Sequence, residues 1–275
     1  VWEKLLELYA RYGYLGTRLL NFDITGAVPM VEMAATMQRM RTQPLKELAG
    51  KPVTAVKDYL TGIDGLPVSN VLVYEAEGIK AHGYVCNVCD EEGVQAMVKK
   101  IEEEVGVVDI LVNNAGIIRR EPFAEHSAKN WNDVIAINLS APFFLSQAAV
   151  RQMIKQGEGG KIINIASMLS FQGGILVPGY AASKGGIKQL TMLMANELSK
   201  EGICVNAIAP GYIATDNTAP IRADKKRNKA ILERIPAGRW GTPEDLKGIC
   251  VFLASSAADY LTGYTYACDG GWLAR

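Results

Sequence analysis

From residue 80 onward, short apolar runs alternate with longer stretches in which apolar residues recur every three or four positions. The runs at 81–88, 107–113, 161–166, 203–209 and 264–268 are rich in Val, Ile and Ala, which predicts strands buried on both faces. Between them the spacing predicts helical segments near 91–104, 128–155, 179–200, 224–234 and 243–255. This alternation predicts a parallel sheet with helices on both sides, a doubly wound α/β fold. Ligands in such sheets sit beyond the C-terminal strand ends. The unusual residues of this chain collect there: Asn113-Asn114-Ala115-Gly116, Ser167 and Pro210-Gly211.

The first 78 residues follow another pattern. Residues 3–15 predict an amphipathic helix that Gly13 and Gly16 end, 17–24 a short strand, and 28–41 a second helix with Met33, Met37 and Met40 on one face. Residues 52–58 and 70–76 predict two strands joined by the turn-rich stretch Thr61 to Pro67. That order is α+β. The chain therefore divides into an α+β segment over 1–78 and an α/β domain over 79–275.

The length of 275 residues and a hydrophobic share of 49% provide a sizeable core. With 29 basic and 29 acidic side chains the formal net charge is zero, so no nucleic-acid partner is expected. No uninterrupted apolar run has the roughly 18–20 residues of a membrane span. The start Val1-Trp2-Glu3-Lys4 does not read as a secretory signal, and a cytoplasmic protein without a membrane partner is expected. The five cysteines, Cys86, Cys89, Cys204, Cys250 and Cys268, are too odd in number for a full disulfide framework. Cys86 and Cys89 form a C-x-x-C with His82 nearby, but the other histidine, His126, is far along the chain. Small side chains packed on a strand explain them better than zinc, and no metal is expected.

Tyr180 and Lys184 form Y-x-x-x-K at the start of a predicted helix, a spacing that puts both on one face. A phenol titrates near pH 10, and a neighbouring ammonium favours its phenolate. A tyrosine so placed can exchange a proton as general acid or base. Ser167, ending the preceding strand, can hydrogen-bond the reacting oxygen, and Asn138 in the long helix can hold a water near Lys184. Singly, each has an ordinary explanation: an exposed pair, a helix cap, a locally bonded amide. Their joint occurrence in one order, each at its element, is far more specific.

With these motifs the chain from residue 80 onward resembles the short-chain dehydrogenase/reductase family, without that family's first two strands. The resemblance implies a Rossmann-like fold and an NAD-dependent oxidoreductase. It makes Tyr180 the acid/base. It gives Lys184 the nicotinamide ribose and a role in lowering the Tyr180 pKa. Ser167 would orient the substrate, and Asn138 would support a proton relay. Asn113 to Gly116 would support the central sheet and, through Asn114, Ala115 and Gly116, line the cofactor site. Pro210, Gly211, Ile213 and Thr215 would meet the nicotinamide end, and Asn87 with Val88 the adenine end. Family members commonly form homotetramers through the helix carrying the tyrosine and the last strand, so a homo-oligomer is implied.

Three stretches are also similar to the 2-dehydro-3-deoxy-D-gluconate 5-dehydrogenase group: Ile165 to Gly174, Arg234 to Gly241 and Asp269 to Arg275. Residues 79–118 are similar to gluconate 5-dehydrogenases. These likenesses imply hydride transfer at C5 of an anionic keto-deoxy sugar acid. Candidate partners for its carboxylate are Arg119, Arg120, Arg222 and Arg239, with Arg119 and Arg239 favoured.

The family's glycine-rich phosphate turn, T-G-x-x-x-G-x-G, is missing: Thr25-Gly26 is followed by Ala27-Val28-Pro29-Met30-Val31-Glu32. Segments such as Arg11-Tyr12-Gly13-Tyr14, Val56-Lys57-Asp58-Tyr59 and Gly65-Leu66-Pro67-Val68 resemble the C-terminal region of phosphoglucomutase/phosphomannomutase enzymes. The alternative reading is thus a catalytically silent chimeric subunit that cannot hold NAD. A sugar-phosphate module ranks last, because that family's phosphate loop is absent. An exposed apolar sheet edge is expected where the first strands should pair.

Overall fold

The computed structural model describes residues 19–22, 84 and 86–275. Its centre is a five-stranded, wholly parallel sheet of β1 (Leu19–Phe22), β2 (Ile110–Asn113), β3 (Gly160–Ile165), β4 (Ile203–Pro210) and β5 (Thr265–Cys268), in that spatial order. The helices are α1 (Glu91–Glu104), α2 (Ala128–Ile135), α3 (Ala141–Gln156), α4 (Pro178–Leu198), α5 (Ala219–Ala223), α6 (Lys225–Arg234) and α7 (Lys247–Ala254). The expectation over 80–275 is met to within a few residues at nearly every element. Helix α5 is the one it lacked.

The sheet is parallel because each crossover carries a helix, and its strands are apolar on both sides because both faces are covered. Leu111, Ile162 and Val205 face a core with Val94, Met97, Leu145 and Met153. Ile110, Val112, Ile163 and Ile208 face the other, with Cys250, Val251 and Leu253 of α7. The four side chains of β2 are all buried.

Beside β2, where an unpaired edge was expected, lies β1. It pairs in register from Leu19 opposite Ile110 to Phe22 opposite Asn113. This is the strand expected over 17–24. The other readings on residues 1–78, including the mutase likeness and the fate of Thr25-Gly26, lie outside the described residues, as does half of the strand expected over 81–88. Residues 86–89 form no strand. The amide oxygen of Asn87 accepts from the Cys89 N–H at 3.1 Å and its carbonyl from the Asp90 N–H at 2.9 Å, so a turn forms instead.

Helix α2, a π-helical turn at Ala136–Ser140 and α3 make one continuous helix of 29 residues. By length and hydropathy it would suffice to cross a membrane, although no uninterrupted apolar run in it does. Only 44% of its most apolar window is buried, and Ala141, Leu145, Ala149 and Met153 supply much of one core.

A polar seam crosses the sheet interior at the end of β2. The Asn113 amide donates to Ser146 Oγ at 3.0 Å and to Asn164 Oδ1 at 2.8 Å. Asn164 in turn donates to Thr191 Oγ1 at 2.9 Å, which donates to the Ile187 carbonyl at 2.8 Å. The seam ties β2, β3, α3 and α4 together with partners that water cannot replace. Asn164→Leu keeps the volume but strips the middle of the seam. It should cost about 2 kcal/mol, read as a lower urea midpoint at unchanged m-value.

Candidate active site

The carboxyl ends of β2, β3 and β4 present the residues singled out by sequence. Asn138 lies in the π-turn, a helical irregularity common at functional sites. Its Oδ1 accepts from the Ile117 N–H at 2.8 Å and its Nδ2 donates to the Ile117 carbonyl at 2.9 Å and to Ser183 Oγ at 3.2 Å. The side chain therefore pins the loop after β2 and joins it to α4. Both amide hydrogens are used on protein, which leaves the second lone pair of Oδ1 as the side chain's remaining place for a water.

Ser167 caps a short 3-10 turn, Met168–Ser170, at the end of β3. Its hydroxyl accepts from the Leu169 N–H at 3.2 Å, while Ser170 Oγ accepts from the Ser167 N–H at 3.3 Å and donates to the Lys184 carbonyl at 2.6 Å. Ser170 thus fastens the Ser167 turn to α4. The sequence holds a trace of this in the serines three apart, the spacing of a capping box.

Tyr180 and Lys184 share one face of α4, as expected. The Lys184 Nζ stands 5.6 Å from the Tyr180 ring centroid and donates to the Ile165 carbonyl at 2.5 Å. Lys184 is only 4% exposed, and burial lowers its pKa to about 8. The Tyr180 phenol departs from expectation. Burial raises its pKa, while a hydrogen bond with Ser167 and the positive charge of Arg120 oppose that rise. Desolvation of the phenolate outweighs the cations around it, so the protein alone holds Tyr180 protonated at neutral pH, as an acid.

The arginines sort themselves by partner. Arg239, favoured on sequence, is spent: Nη1 and Nη2 each lie 2.7 Å from an oxygen of Asp245, a bidentate pair that holds the Asp245 carboxyl well below its usual range. Arg119 is exposed, and among the described residues its hydrogen bond is to its neighbour's carbonyl, Ile118, at 3.4 Å. Arg222 donates to the Thr215 carbonyl at 3.0 Å. Arg120, not favoured on sequence, is the arginine whose charge acts on Tyr180, and it reaches across to the Asn217 carbonyl at 3.2 Å.

The cofactor-side residues are positioned by tight backbone contacts. A Cβ on Gly211 would stand 2.6 Å from the Asp269 Cα, so only glycine lets the strand end pass β5. Ile213 bridges Gly241, and the Thr215 N–H donates to Thr218 Oγ1 at 3.1 Å. Pro210 ends β4, opposite Cys268. Asn114 and Gly116 are half-buried and Ala115 is buried beyond β2. The Val88 side chain is in the core, so only its backbone is left for a ligand, and the Asn87 oxygen is used in its own turn. Cys86 and Cys89 are pushed up as thiols, mainly by burial. His82 lies outside the described residues.

A nicotinamide cofactor fits these residues. Lys184 uses one of an ammonium's three donors on the protein, leaving two for ribose hydroxyls. The bare Cα of Gly116 leaves open the space beside that ammonium, where a Cβ would lie 3.7 Å from Nζ.

Comparison with known proteins agrees with this arrangement. A family model described as enoyl-(acyl carrier protein) reductase matches residues 68–273. The 2-dehydro-3-deoxy-D-gluconate 5-dehydrogenase of Dickeya dadantii is 59% identical over 209 residues, covering 76% of this chain and 83% of that protein. The Formosa agariphila protein of the same name is 45% identical over 254 residues, 92% of this chain and 95% of its own. That alignment is longer than residues 79–275 and so enters the N-terminal stretch, which removes support from the silent-chimera reading. The crystal structure of a gluconate 5-dehydrogenase from Burkholderia cenocepacia in complex with NADP and tartrate is 31% identical. It superimposes with a TM-score of 0.83 over 98% of this chain and 99% of that one.

The lowered pKa of Lys184 has a kinetic signature. The ammonium that would meet the ribose loses its proton as pH rises through about 8. Then kcat/KM for the cofactor, which reports the free enzyme, should be level below that pH and fall above it. A profile flat to about pH 10 would contradict the assignment.

Proposed function

The chain belongs to the short-chain dehydrogenase/reductase family of NAD(P)-linked oxidoreductases, and we propose that it moves hydride between NAD(H) and C5 of a keto-deoxy sugar acid of the 2-dehydro-3-deoxy-D-gluconate type. The observation that carries the chemistry is the convergence of Ser167, Tyr180 and Lys184, with Tyr180 held as an acid. The substrate class rests on the 59% identity to the Dickeya dadantii enzyme. NAD rather than NADP is our reading from resemblance alone.

The bound nicotinamide supplies or accepts the hydride. The chain supplies the rest. In the reducing direction the Ser167 hydroxyl and the Tyr180 phenol donate to the C5 carbonyl oxygen, and Tyr180 gives up its proton as the alkoxide forms. The Lys184 ammonium and the Arg120 guanidinium favour the phenolate left behind. In the oxidising direction the same phenolate takes the alcohol proton. Arg120, exposed and facing Tyr180, is the cation we assign to the substrate carboxylate, in place of Arg239.

We further read the protein as a cytoplasmic homo-oligomer, tetrameric by resemblance, with a small sugar acid as its partner and neither nucleic acid nor membrane. Apolar side chains on the outer faces of α3 and α4 support the assembly: Phe143 is 43% exposed, Ile154 44%, Met192 41% and Leu193 50%.

Steady-state oxidation of 2-dehydro-3-deoxy-D-gluconate by the purified chain tests the proposal. Turnover with NAD should exceed that with NADP, and Tyr180→Phe should lower kcat by about a thousandfold, the worth of a placed acid/base. Absence of turnover in the unaltered chain would sink the substrate reading, and preference for NADP the cofactor reading.

A further inference from the structure

Residues 216–235 run from the Thr215 corner, through α5 and α6, to the Ser167 corner. At the first corner Arg120 and Arg222 bond the carbonyls of Asn217 and Thr215. At the second, Ile231 and Ile235 pack with Met168, the residue after Ser167, and with Trp272. The segment thus spans the site, and what fixes its far end matters to closure.

That far end is held by residues beyond β5. Asp269 caps the turn that follows it, its carboxylate accepting from the N–H groups of Gly271 and Leu273 at 2.9 Å each. This sets Trp272 against Tyr212, with ring centroids 4.8 Å apart, and the Arg234 guanidinium 3.9 Å from the Trp272 ring centroid. Arg234 also donates to Gln172 Oε1 at 3.2 Å, and the Gln172 N–H donates to the Met168 carbonyl at 3.3 Å. Arg275 completes the arrangement. Its Nε donates to the Arg234 carbonyl at 3.1 Å and its Nη2 to the Glu233 carbonyl at 2.5 Å. These are carbonyls of the last turn of α6, which have no partner within the helix and lie at the negative end of its dipole.

We propose that Arg275, acting with Trp272 and Arg234, is a positioning residue that clasps the carboxyl end of α6 and so holds residues 216–235 closed over the bound sugar acid. The guanidinium suits the task because its rigid fork serves two carbonyls at once, which an ammonium cannot do in the same geometry. The clasp acts on the substrate side, through Gln172 and Met168 toward Ser167. At the cofactor corner the close approach is of Gly211 to the Asp269 Cα, and Arg275 takes no part in it. The proposal rests on the reading that this site closes on a keto sugar acid.

Two measurements on Arg275→Ala and Arg275→Lys test it. The first is steady-state kinetics. Arg275→Ala should raise KM for the sugar acid about tenfold, leaving KM for NAD and kcat within about twofold, and Arg275→Lys should fall between. The second is the rate of tryptic cleavage within α6, where Lys225, Lys226, Arg227 and Lys229 are exposed. Loss of the clasp should speed it about tenfold, because cleavage tracks the population of the open segment. An unchanged KM for the sugar acid overturns the proposal, as does an unchanged cleavage rate with a raised KM, which would put Arg275 on the substrate instead. If the unaltered chain turns over no sugar acid, the functional reading fails, and the cleavage rates alone still decide whether Arg275 holds α6.

Discussion

A lysine ammonium enclosed at the carboxyl edge of a parallel sheet is costly to hold charged, and the site is organised around that cost. Burial takes Lys184 down to a pKa of about 8, which leaves it charged at neutral pH only by a modest margin. One protein acceptor, the Ile165 carbonyl, offsets part of the loss. The same position that makes the ammonium expensive makes it useful. In a dry pocket each remaining donor bonds a ligand hydroxyl more strongly than it would in water. Polar contacts then keep α4 from drifting off the strand ends. Ser170 holds the Lys184 carbonyl, Asn138 holds Ser183, and the seam from Asn113 to Thr191 fixes the helix two turns further on.

Tyr180 shows how a single field serves both directions of a reversible reaction. Burial favours the neutral phenol, and two neighbours, Ser167 and Arg120, lean toward the phenolate. A group balanced between such opposing terms changes protonation state at small cost when a ligand alters either term. An anionic substrate that takes the charge of Arg120 removes one of the terms favouring phenolate. It thereby raises the Tyr180 pKa further and keeps the phenol protonated while a carbonyl comes into place, although it also makes the phenol the weaker acid. The coupling is electrostatic and needs only the approach of a carboxylate to the guanidinium whose charge acts on the phenol.

The fold from residue 86 onward was legible because its strands are covered on both faces and so read as apolar runs, with helices of strong period between. The Tyr180–Lys184 pair was legible because helix spacing alone brings the two together. What escaped depends on contacts between segments far apart in the chain. Arg119, Arg120 and Arg239 look alike as letters. Asp245, six positions from Arg239, consumes one of them, and the approach of the loop after β2 to α4 selects another. The turn at Asn87 escaped because side-chain bonding to its own backbone overrode an apolar run that favours a strand. Register beside β2 could not be read either, since parallel pairing between segments some ninety residues apart leaves no local mark.

The clearest consequence of this geometry is a division of labour between the two ends of the site. The cofactor end is built from backbone held at close quarters: Gly211 against Asp269, Ile213 against Gly241, and Thr215 within its own turn. Such contacts have no soft side chains to rearrange, so they present one shape. The end we read as the substrate's is bordered by long side chains, Arg120, Arg222, Arg234 and Arg275, each donating to a carbonyl oxygen of another residue. Carbonyl acceptors are weaker partners for guanidinium than carboxylates are. These arginines are therefore held without being neutralised, unlike Arg239, whose charge is cancelled by Asp245. Their charge is thus left without a carboxylate partner among the described residues, in a chain whose net charge is zero. On the proposed reading, attraction for a sugar acid depends on where acidic residues have been left out as much as on where basic ones were placed.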